Sequence, residues 1–191
     1  MAKKTESTLR NMLIALFVVA LISSTTLGYV YEFTKGPIAA AKLKKKVEAI
    51  KIVVPEFNNN PIDDVYKLAT DMDSVECYPA FKDSTLVGTA IKTFSDKGFT
   101  KRIYIMVGFL PDGTIKNISV LEHAETPGLG DKMDKKKSNW SEQFNGKNPA
   151  SYKLQVTKDG GDVDAITAAT ISSRAYTDAV DRAYKALKSR N

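Results

Sequence analysis

The strongest hydrophobic pattern in the chain is a run of twenty-one uncharged residues between Arg10 and Glu32. Because an α-helix rises about 1.5 Å per residue, about twenty residues are enough to span the hydrocarbon core of a membrane. The run therefore predicts a transmembrane helix over residues 11–31. Residues 1–10 form a short amino-terminal segment before it.

A cleaved signal peptide is the alternative interpretation of this run. The purely apolar part ends at Ile22, and the small residues at 23–26 (Ser-Ser-Thr-Thr) would suit a peptidase. However, the segment contains no A-x-A cleavage pattern, and apolar residues return from Leu27. Serine and threonine can also donate hydrogen bonds to their own helix backbone, and Tyr29 and Tyr31 suit a membrane–water boundary. These features favour an uncleaved membrane anchor.

Apolar residues recur at helical spacing after the span, which predicts a helix that leaves the membrane over residues 37–54, with Pro55 ending it. Residues 62–69 could form one or two further helical turns. We therefore expect a membrane-proximal helical segment over residues 32–70.

An alternation of apolar and polar residues follows, as in strands that bury one face. Pro111-Asp112-Gly113 has the composition of a tight turn between two of these strands. Pro79 lacks a backbone N–H and therefore predicts an edge position for the first strand. The expected strands of this antiparallel β-meander are residues 75–81, 86–94, 101–110 and 115–121.

The periodicity fails from residue 122 to residue 152, and a loop of this length inside a compact domain usually serves a site. Short strands are expected at residues 154–156 and 163–166, followed by an amphipathic helix from about Ile171. The chain thus predicts an α+β fold: one N-terminal transmembrane helix followed by a single domain over residues 71–191, with an antiparallel β-meander and flanking helices.

The amino-acid composition excludes several classes of site and partner. The chain has one cysteine, Cys77, and one histidine, His123, so an internal disulfide, a Cys₄ metal site and a histidine-rich metal site are excluded. The net charge of +6 comes mostly from scattered residues, without an aromatic-interleaved basic stripe, and we expect no nucleic-acid partner. The basic cluster at residues 42–46 lies close to the span, where membrane lipid head groups are a simple partner.

The first candidate site is the junction between the last short strand and the last helix, residues 164–173. A helix amino terminus presents unpaired N–H groups and the positive end of the helix dipole, which suit a phosphate. Hydroxyl groups at Thr167, Thr170, Ser172 and Ser173 are concentrated there. The alternative is structural: Thr167 or Thr170 would simply be the N-cap of the helix, with no ligand.

Asp164-x-x-Thr167-Ala168-Ala169-Thr170 resembles the D-x-x-[ST]-G-A-T signature of covalently flavinylated domains. These are the FMN-binding domains of the G subunit of the Rnf electron-transport complex and of the C subunit of the Na⁺-translocating NADH:quinone reductase. The resemblance implies that Thr170 carries FMN through a phosphoester, installed by a dedicated flavin transferase from FAD. Ala168 stands where the signature has glycine.

A second segment resembles the same family. Residues 123–130, His-Ala-Glu-Thr-Pro-Gly-Leu-Gly, match its H-x-E-T-P-G-L-G loop, and Trp140-x-x-x-Phe144-x-Gly146-Lys147 is similar to a landmark further along. The resemblance implies that this loop packs against the flavin ring while the helix start holds the phosphate. The expected cofactor-binding residues are Thr170, Thr167, Ser172, Glu125, Thr126, Gly128, Leu129 and Gly130.

The resemblance further implies an electron-carrier subunit of a membrane-bound, ion-translocating ferredoxin:NAD oxidoreductase, with other redox subunits as partners. It places residues 1–10 in the cytoplasm and the flavin domain on the periplasmic side of the inner membrane. No catalytic acid or base and no metal are required, because the flavin itself exchanges electrons. The alternatives are the quinone-reductase C subunit, a tethered flavin domain of a regulator or stand-alone reductase, and a binding module without redox chemistry.

Overall fold

The computed structural model describes residues 8–190, so most of the expected cytoplasmic amino terminus, residues 1–10, lies outside the described residues. The chain divides into two compact units, and the second unit begins at Lys45. The helix that starts the described chain contributes residues to both units.

This helix, α1, runs from Leu9 to Val53 as one continuous element. It is long and apolar enough to cross a membrane, and its apolar eighteen-residue stretch is not buried by protein. The hydroxyl of Ser24 donates to the carbonyl of Ala20 at 2.7 Å, so this polar side chain is satisfied within the helix. Pro37 lies inside α1, although it removes one backbone donor.

The second unit contains an antiparallel sheet in which the strands follow one another in chain order. The α+β class predicted from the sequence is confirmed. The strands found within residues 8–190 are β1 (Tyr66–Ala69), β2 (Ser74–Lys82), β3 (Thr85–Ser95), β4 (Ile103–Phe109) and β5 (Ile115–Glu122).

The expected edge position of the strand containing Pro79 is wrong, because β2 lies between β1 and β3. The β1 pairing covers β2 only as far as Cys77, so Pro79 is beyond the end of β1. A loop residue takes over there: Asn59 donates to the Pro79 carbonyl at 3.1 Å and accepts from the Phe81 N–H at 2.9 Å. The missing N–H of proline is therefore tolerated inside the sheet.

Strand β1 occupies residues for which helical turns were expected. Tyr66 and Leu68 are half-buried and Lys67 and Ala69 are exposed, which is the two-residue period of a strand. A segment of four residues is too short to distinguish the helical period from the strand period by sequence alone. Pairing with β2 makes these residues a strand.

Both faces of the sheet are covered by helix. The larger core lies between one face and the carboxyl-terminal helix α2 (Thr170–Ser189), which buries Tyr176 and Val180 among the strand residues. On the other face, Ile50 and Val53 of α1 pack with Tyr78 and Met106. The approach is close: a side chain at Gly108 would collide with the Val53 carbonyl and lie 2.8 Å from the Val53 Cβ.

The long segment between β5 and α2 contains only short 3₁₀ helices, at Gly130–Met133, Trp140–Phe144 and Thr157–Asp159. The two short strands expected there reduce to a single parallel bridge between Val156 and Val163. An aromatic cluster holds the segment against α2, with the Trp140 ring 5.1 Å from the Tyr176 ring and nearly perpendicular to it. Burial at this junction raises the pKa of the Tyr176 hydroxyl well above its usual range.

Candidate functional site

Helix α2 begins at Thr170, and neither threonine of the motif is its N-cap. The cap position is Ala169, whose side chain makes no capping hydrogen bond. Within residues 8–190, no hydrogen bond involves the Thr170 hydroxyl, and the backbone N–H groups of Thr170, Ile171 and Ser172 have no acceptor. The structural explanation of the motif as a helix cap is therefore wrong, and the helix start offers three free donors beside a free hydroxyl.

The turn that leads into α2 is held by Ser173. Its hydroxyl accepts from the Ile166 N–H at 2.9 Å and donates to the Ala169 carbonyl at 3.0 Å. Upstream, the Trp140 indole donates to the Asp164 carbonyl at 2.6 Å. Hydrogen bonds therefore hold both ends of the segment that precedes Thr170, at Asp164 and at Ala169.

Ala168 has a left-handed backbone conformation, with φ of +62°. This is the position at which the family signature has glycine. The conformation places Cβ close to the following carbonyl and costs an L-residue roughly 1–2 kcal/mol. The positive φ therefore explains why the family signature has glycine at this position. Alanine adopts the same turn at a cost in stability.

The helix start and the loop after β5 meet around one open cavity of about 360 Å³. This volume lies within the usual range for small-molecule sites, roughly 300–1,000 Å³. Of the residues predicted from the sequence, the structure brings six together at this cavity. They are Glu125, Thr126, Leu129, Gly130, Thr170 and Ser172.

Two predicted residues do not line the cavity. Thr167 is exposed in the turn before Ala168. Gly128 is exposed and has φ of +77°, and a Cβ added there would meet no atom within 4 Å. Gly128 therefore shapes the turn between Thr126 and Leu129 and makes no wall of the cavity itself.

Glu125 connects three segments beneath the cavity. It is 4% exposed, and one carboxylate oxygen accepts from the Phe99 N–H at 2.9 Å. The other oxygen accepts from the Ser172 hydroxyl in the first turn of α2. A side chain at Gly130 would lie 2.8 Å from the Glu125 Cβ, so the glycine lets the loop close on this carboxylate.

His123 takes part in the same loop. Its Nδ1 accepts a hydrogen bond from the Glu125 backbone N–H at 3.3 Å. The structure therefore gives this imidazole a role in shaping the loop. Among the described residues, no group of three His, Cys, Asp or Glu side chains converges to hold a metal ion.

Sequence reasoning did not single out two apolar residues that line the cavity. Phe99, in the turn between β3 and β4, is 66% exposed, and Ile171 is 47% exposed. Together with Leu129, they surround the cavity with exposed apolar surface from three separate segments. The only signal in the sequence was an aromatic residue directly after the turn glycine Gly98, which is weak by itself.

Nearly half of the chain matches a known family model. The family model described as the FMN-binding domain matches residues 98–185, a range that includes every residue lining the cavity. The chain is 36% identical over 178 residues to a protein of Erwinia tasmaniensis named as the G subunit of an ion-translocating oxidoreductase complex, covering 88% of this chain and 85% of the relative.

Proteins of the same name from Vibrio cholerae and Cereibacter sphaeroides are also similar. The first is 33% identical over 177 residues, covering 88% of this chain and 85% of the relative. The second is 32% identical over 187 residues, covering 94% of this chain and 83% of the relative. The similarity therefore extends through both compact units of the chain.

Proposed function

The chain belongs to the family formed by the G subunits of ion-translocating oxidoreductase complexes, and on this premise we propose that it carries electrons through an FMN esterified to Thr170. The observation that carries the proposal is the free hydroxyl of Thr170 beside three unpaired N–H groups at the edge of the cavity. A phosphate monoester on this hydroxyl would lie where free backbone donors and the positive helix end favour negative charge.

The residues around the cavity fit a flavin. Its phosphate requires donors, which the first turn of α2 supplies, and its ring system requires apolar walls, which Leu129 and Ile171 supply. Thr126 adds a hydroxyl, and Gly130 lets the backbone approach closely. The one carboxylate at the cavity, Glu125, already accepts from Phe99 and Ser172 and does not present a free negative charge to the phosphate.

The division of labour follows from this arrangement. FMN, when bound, supplies the exchange of one or two electrons. The protein holds the phosphate at Thr170, limits the access of water to the ring and fixes the ring orientation. No side chain is needed as a general acid or base for electron transfer, and the roles of Thr167 and Gly128 are restricted to shaping the two turns that border the cavity.

The substitution of alanine for the signature glycine is compatible with attachment in this proposal. Ala168 has the left-handed conformation that the turn requires, and its methyl group lines the cavity. The expected donor is FAD: a dedicated flavin transferase would transfer its FMN moiety to the Thr170 hydroxyl, with AMP as the leaving group. The small side chains at Ala168 and Ala169 leave Thr170 accessible to such an enzyme.

The membrane placement is part of the proposal. Helix α1 is long and apolar enough to act as a single anchor, with residues 11–31 as the span. We place residues 1–10 in the cytoplasm and the domain at the periplasmic face of the inner membrane, where it would exchange electrons with other redox subunits. Similarity to these G subunits over 88% of the chain favours this complex over the quinone-reductase C subunit, a regulator or a stand-alone reductase.

The decisive experiment is the intact mass of the purified full chain, produced in a host with and without the flavin transferase. We expect one FMN adduct only with the transferase, located by peptide mapping on the peptide containing Thr170. The proposal is contradicted if the chain carries no flavin, or if the flavin is released by denaturation.

A further inference from the structure

Phe99 has an unusual environment for an aromatic residue. It lies in the turn between β3 and β4, is 66% exposed and faces the cavity that borders Thr170. Isolated exposed apolar side chains are common on protein surfaces. Here, however, Phe99, Leu129 and Ile171 come from three separate segments and converge on one cavity, which indicates a surface that a ligand covers.

The turn that carries Phe99 is held by hydrogen bonds to the Glu125 carboxylate. The N–H groups of Phe99 and Thr100 point to one oxygen of the Glu125 carboxylate, at 2.9 and 3.5 Å. A side chain at Gly98 would lie 3.0 Å from the same oxygen and would collide with the Lys101 carbonyl. Glycine therefore allows the turn to close tightly over the carboxylate.

The second oxygen of Glu125 accepts from Ser172, in the helical turn that begins with Thr170. Among the described residues, no lysine, arginine or histidine forms an ion pair with Glu125, although carboxylates are rarely this buried without a cation. The donors are instead two backbone N–H groups and one hydroxyl. Their common effect is to fix the position of the Phe99 turn relative to the start of α2.

We propose that Phe99 covers one face of the flavin ring, and that Glu125 is a positioning residue that holds Phe99 there. The inference rests on the proposed function, because it requires a flavin attached at Thr170. An aromatic side chain at this place excludes water from the ring and stacks on it without adding charge. Glu125 acts through the Phe99 turn and need not touch the flavin.

The test uses Phe99→Trp in the full chain, produced with the transferase. An indole in contact with a photoexcited flavin donates an electron to it and recovers that electron, which quenches flavin emission. We expect a several-fold shorter fluorescence lifetime in Phe99→Trp. Leu86→Trp is the matched control, since Leu86 is also exposed but lines a different depression, near Pro111 and Leu187. We expect the lifetime of the parent chain in this control.

The role of Glu125 is tested by adding Glu125→Gln to the Phe99→Trp chain. An amide has one acceptor oxygen and no charge. If this oxygen keeps the N–H groups of the Phe99 turn, the Ser172 hydroxyl must turn to accept from the amide NH₂, and both sides are then held by weaker, uncharged hydrogen bonds. We expect part of the quenching to be lost, with an unchanged circular dichroism spectrum. Glu56→Gln is the control, because the Glu56 side chain is exposed and makes only a 3.6 Å ion pair with Lys82.

The outcomes separate the two proposals. If the parent chain carries no FMN by intact mass, the proposed function fails. If Phe99→Trp carries FMN with the lifetime of the parent chain, Phe99 does not cover the ring and the further inference is overturned. If the quenching is unaffected by Glu125→Gln, the proposal that Phe99 covers the flavin ring stands, and the positioning role of Glu125 is overturned.

Discussion

The hydroxyl of Ser172 donates a hydrogen bond to the carboxylate of Glu125, although 47 positions separate the two residues in sequence. This bond joins the loop after β5 to the first turn of α2, only two residues beyond Thr170. The two sequence motifs therefore line one cavity and are joined by this buried polar contact. Changes at the motif residues that line the cavity should consequently affect a flavin bound there.

The first prediction concerns the attachment residue. Thr170→Ala should give folded protein without covalent flavin, because the substitution removes the only hydroxyl proposed to form the phosphoester. The free energy of unfolding of the unflavinylated chain should change by no more than about 0.5 kcal/mol, since Thr170 is not the N-cap and its hydroxyl forms no hydrogen bond within residues 8–190. In-gel flavin fluorescence and urea unfolding measure the two effects.

Thr167→Ala is the matched control for this experiment. Thr167 is exposed outside the cavity, so this variant should keep its covalent flavin. Flavin fluorescence that persists in Thr170→Ala after denaturing electrophoresis would show that another residue carries the cofactor.

Ala168→Gly should stabilise the domain. Glycine removes the steric cost of the left-handed conformation at φ of +62°, roughly 1–2 kcal/mol, and loses about 0.4–1 kcal/mol through a more flexible unfolded chain. The expected net gain is about 0.5–1 kcal/mol in the free energy of unfolding by urea. Ala165→Gly, in the same segment but without a positive φ, should lose stability. Equal losses in both variants would refute the strain at Ala168.

Gly128→Val should leave FMN attached but alter its reduction potential or slow its electron exchange. A Cβ at residue 128 meets open space, so the effect comes from the φ of +77°, which a β-branched residue rarely adopts. The turn would relax and displace Thr126 and Leu129, which line the cavity. Gly128→Asn is the control, because asparagine tolerates this conformation better. The inference about the loop fails if the valine variant has both the reduction potential and the electron-exchange rate of the asparagine variant and the parent chain.

The domain should lose stability in acid through Glu76. Burial raises the pKa of this carboxyl, but hydrogen bonds from Tyr78 and Lys46 and the charge of Lys92 outweigh it and lower the pKa to about 2. A lowered folded-state pKa means that the contribution to stability is present above the usual value of 4.5 and is lost as the pH falls from there towards 2.

Urea unfolding from pH 7 to pH 3 measures this effect. Glu76→Gln should be less stable at pH 7, and its stability should fall less steeply below pH 4.5 than that of the parent chain. Asp83→Asn serves as the control, because Asp83 is exposed in the turn after β2. Parallel pH profiles for Glu76→Gln and the parent chain would contradict the assignment.

The last prediction is topological: residues after about Tyr31 lie outside the cytoplasm. An alkaline phosphatase fused to the carboxyl terminus should be active, and a fluorescent protein that folds only in the cytosol should remain dark. The opposite pattern would place the domain in the cytoplasm and exclude the proposed periplasmic electron path.

Sequence periodicity was sufficient for the α+β class, for β2 to β5 and for α2. Prediction from periodicity failed where contacts between distant parts of the chain determine the structure. Pro79 lies inside the sheet because Asn59 supplies hydrogen bonds from a loop. The Phe99 N–H donates to a carboxylate 26 residues away, a contact that no local pattern encodes. The motif at Thr170 was identified by resemblance, whereas only the backbone angles show why the position of Ala168 favours glycine.

The packing of α1 against the sheet also determines where the chain can be shortened. Ile50 and Val53 cover Tyr78 and Met106, and the compact unit begins at Lys45. A detergent-free fragment that starts at Lys45 keeps this cover, whereas one that starts at residue 71 would present the same face of the sheet to water and would also lack β1. Such a fragment would have the exposed apolar surface and the unpaired strand edge that promote precipitation. The helix that anchors the protein is, in its last turns, a component that the domain needs for solubility.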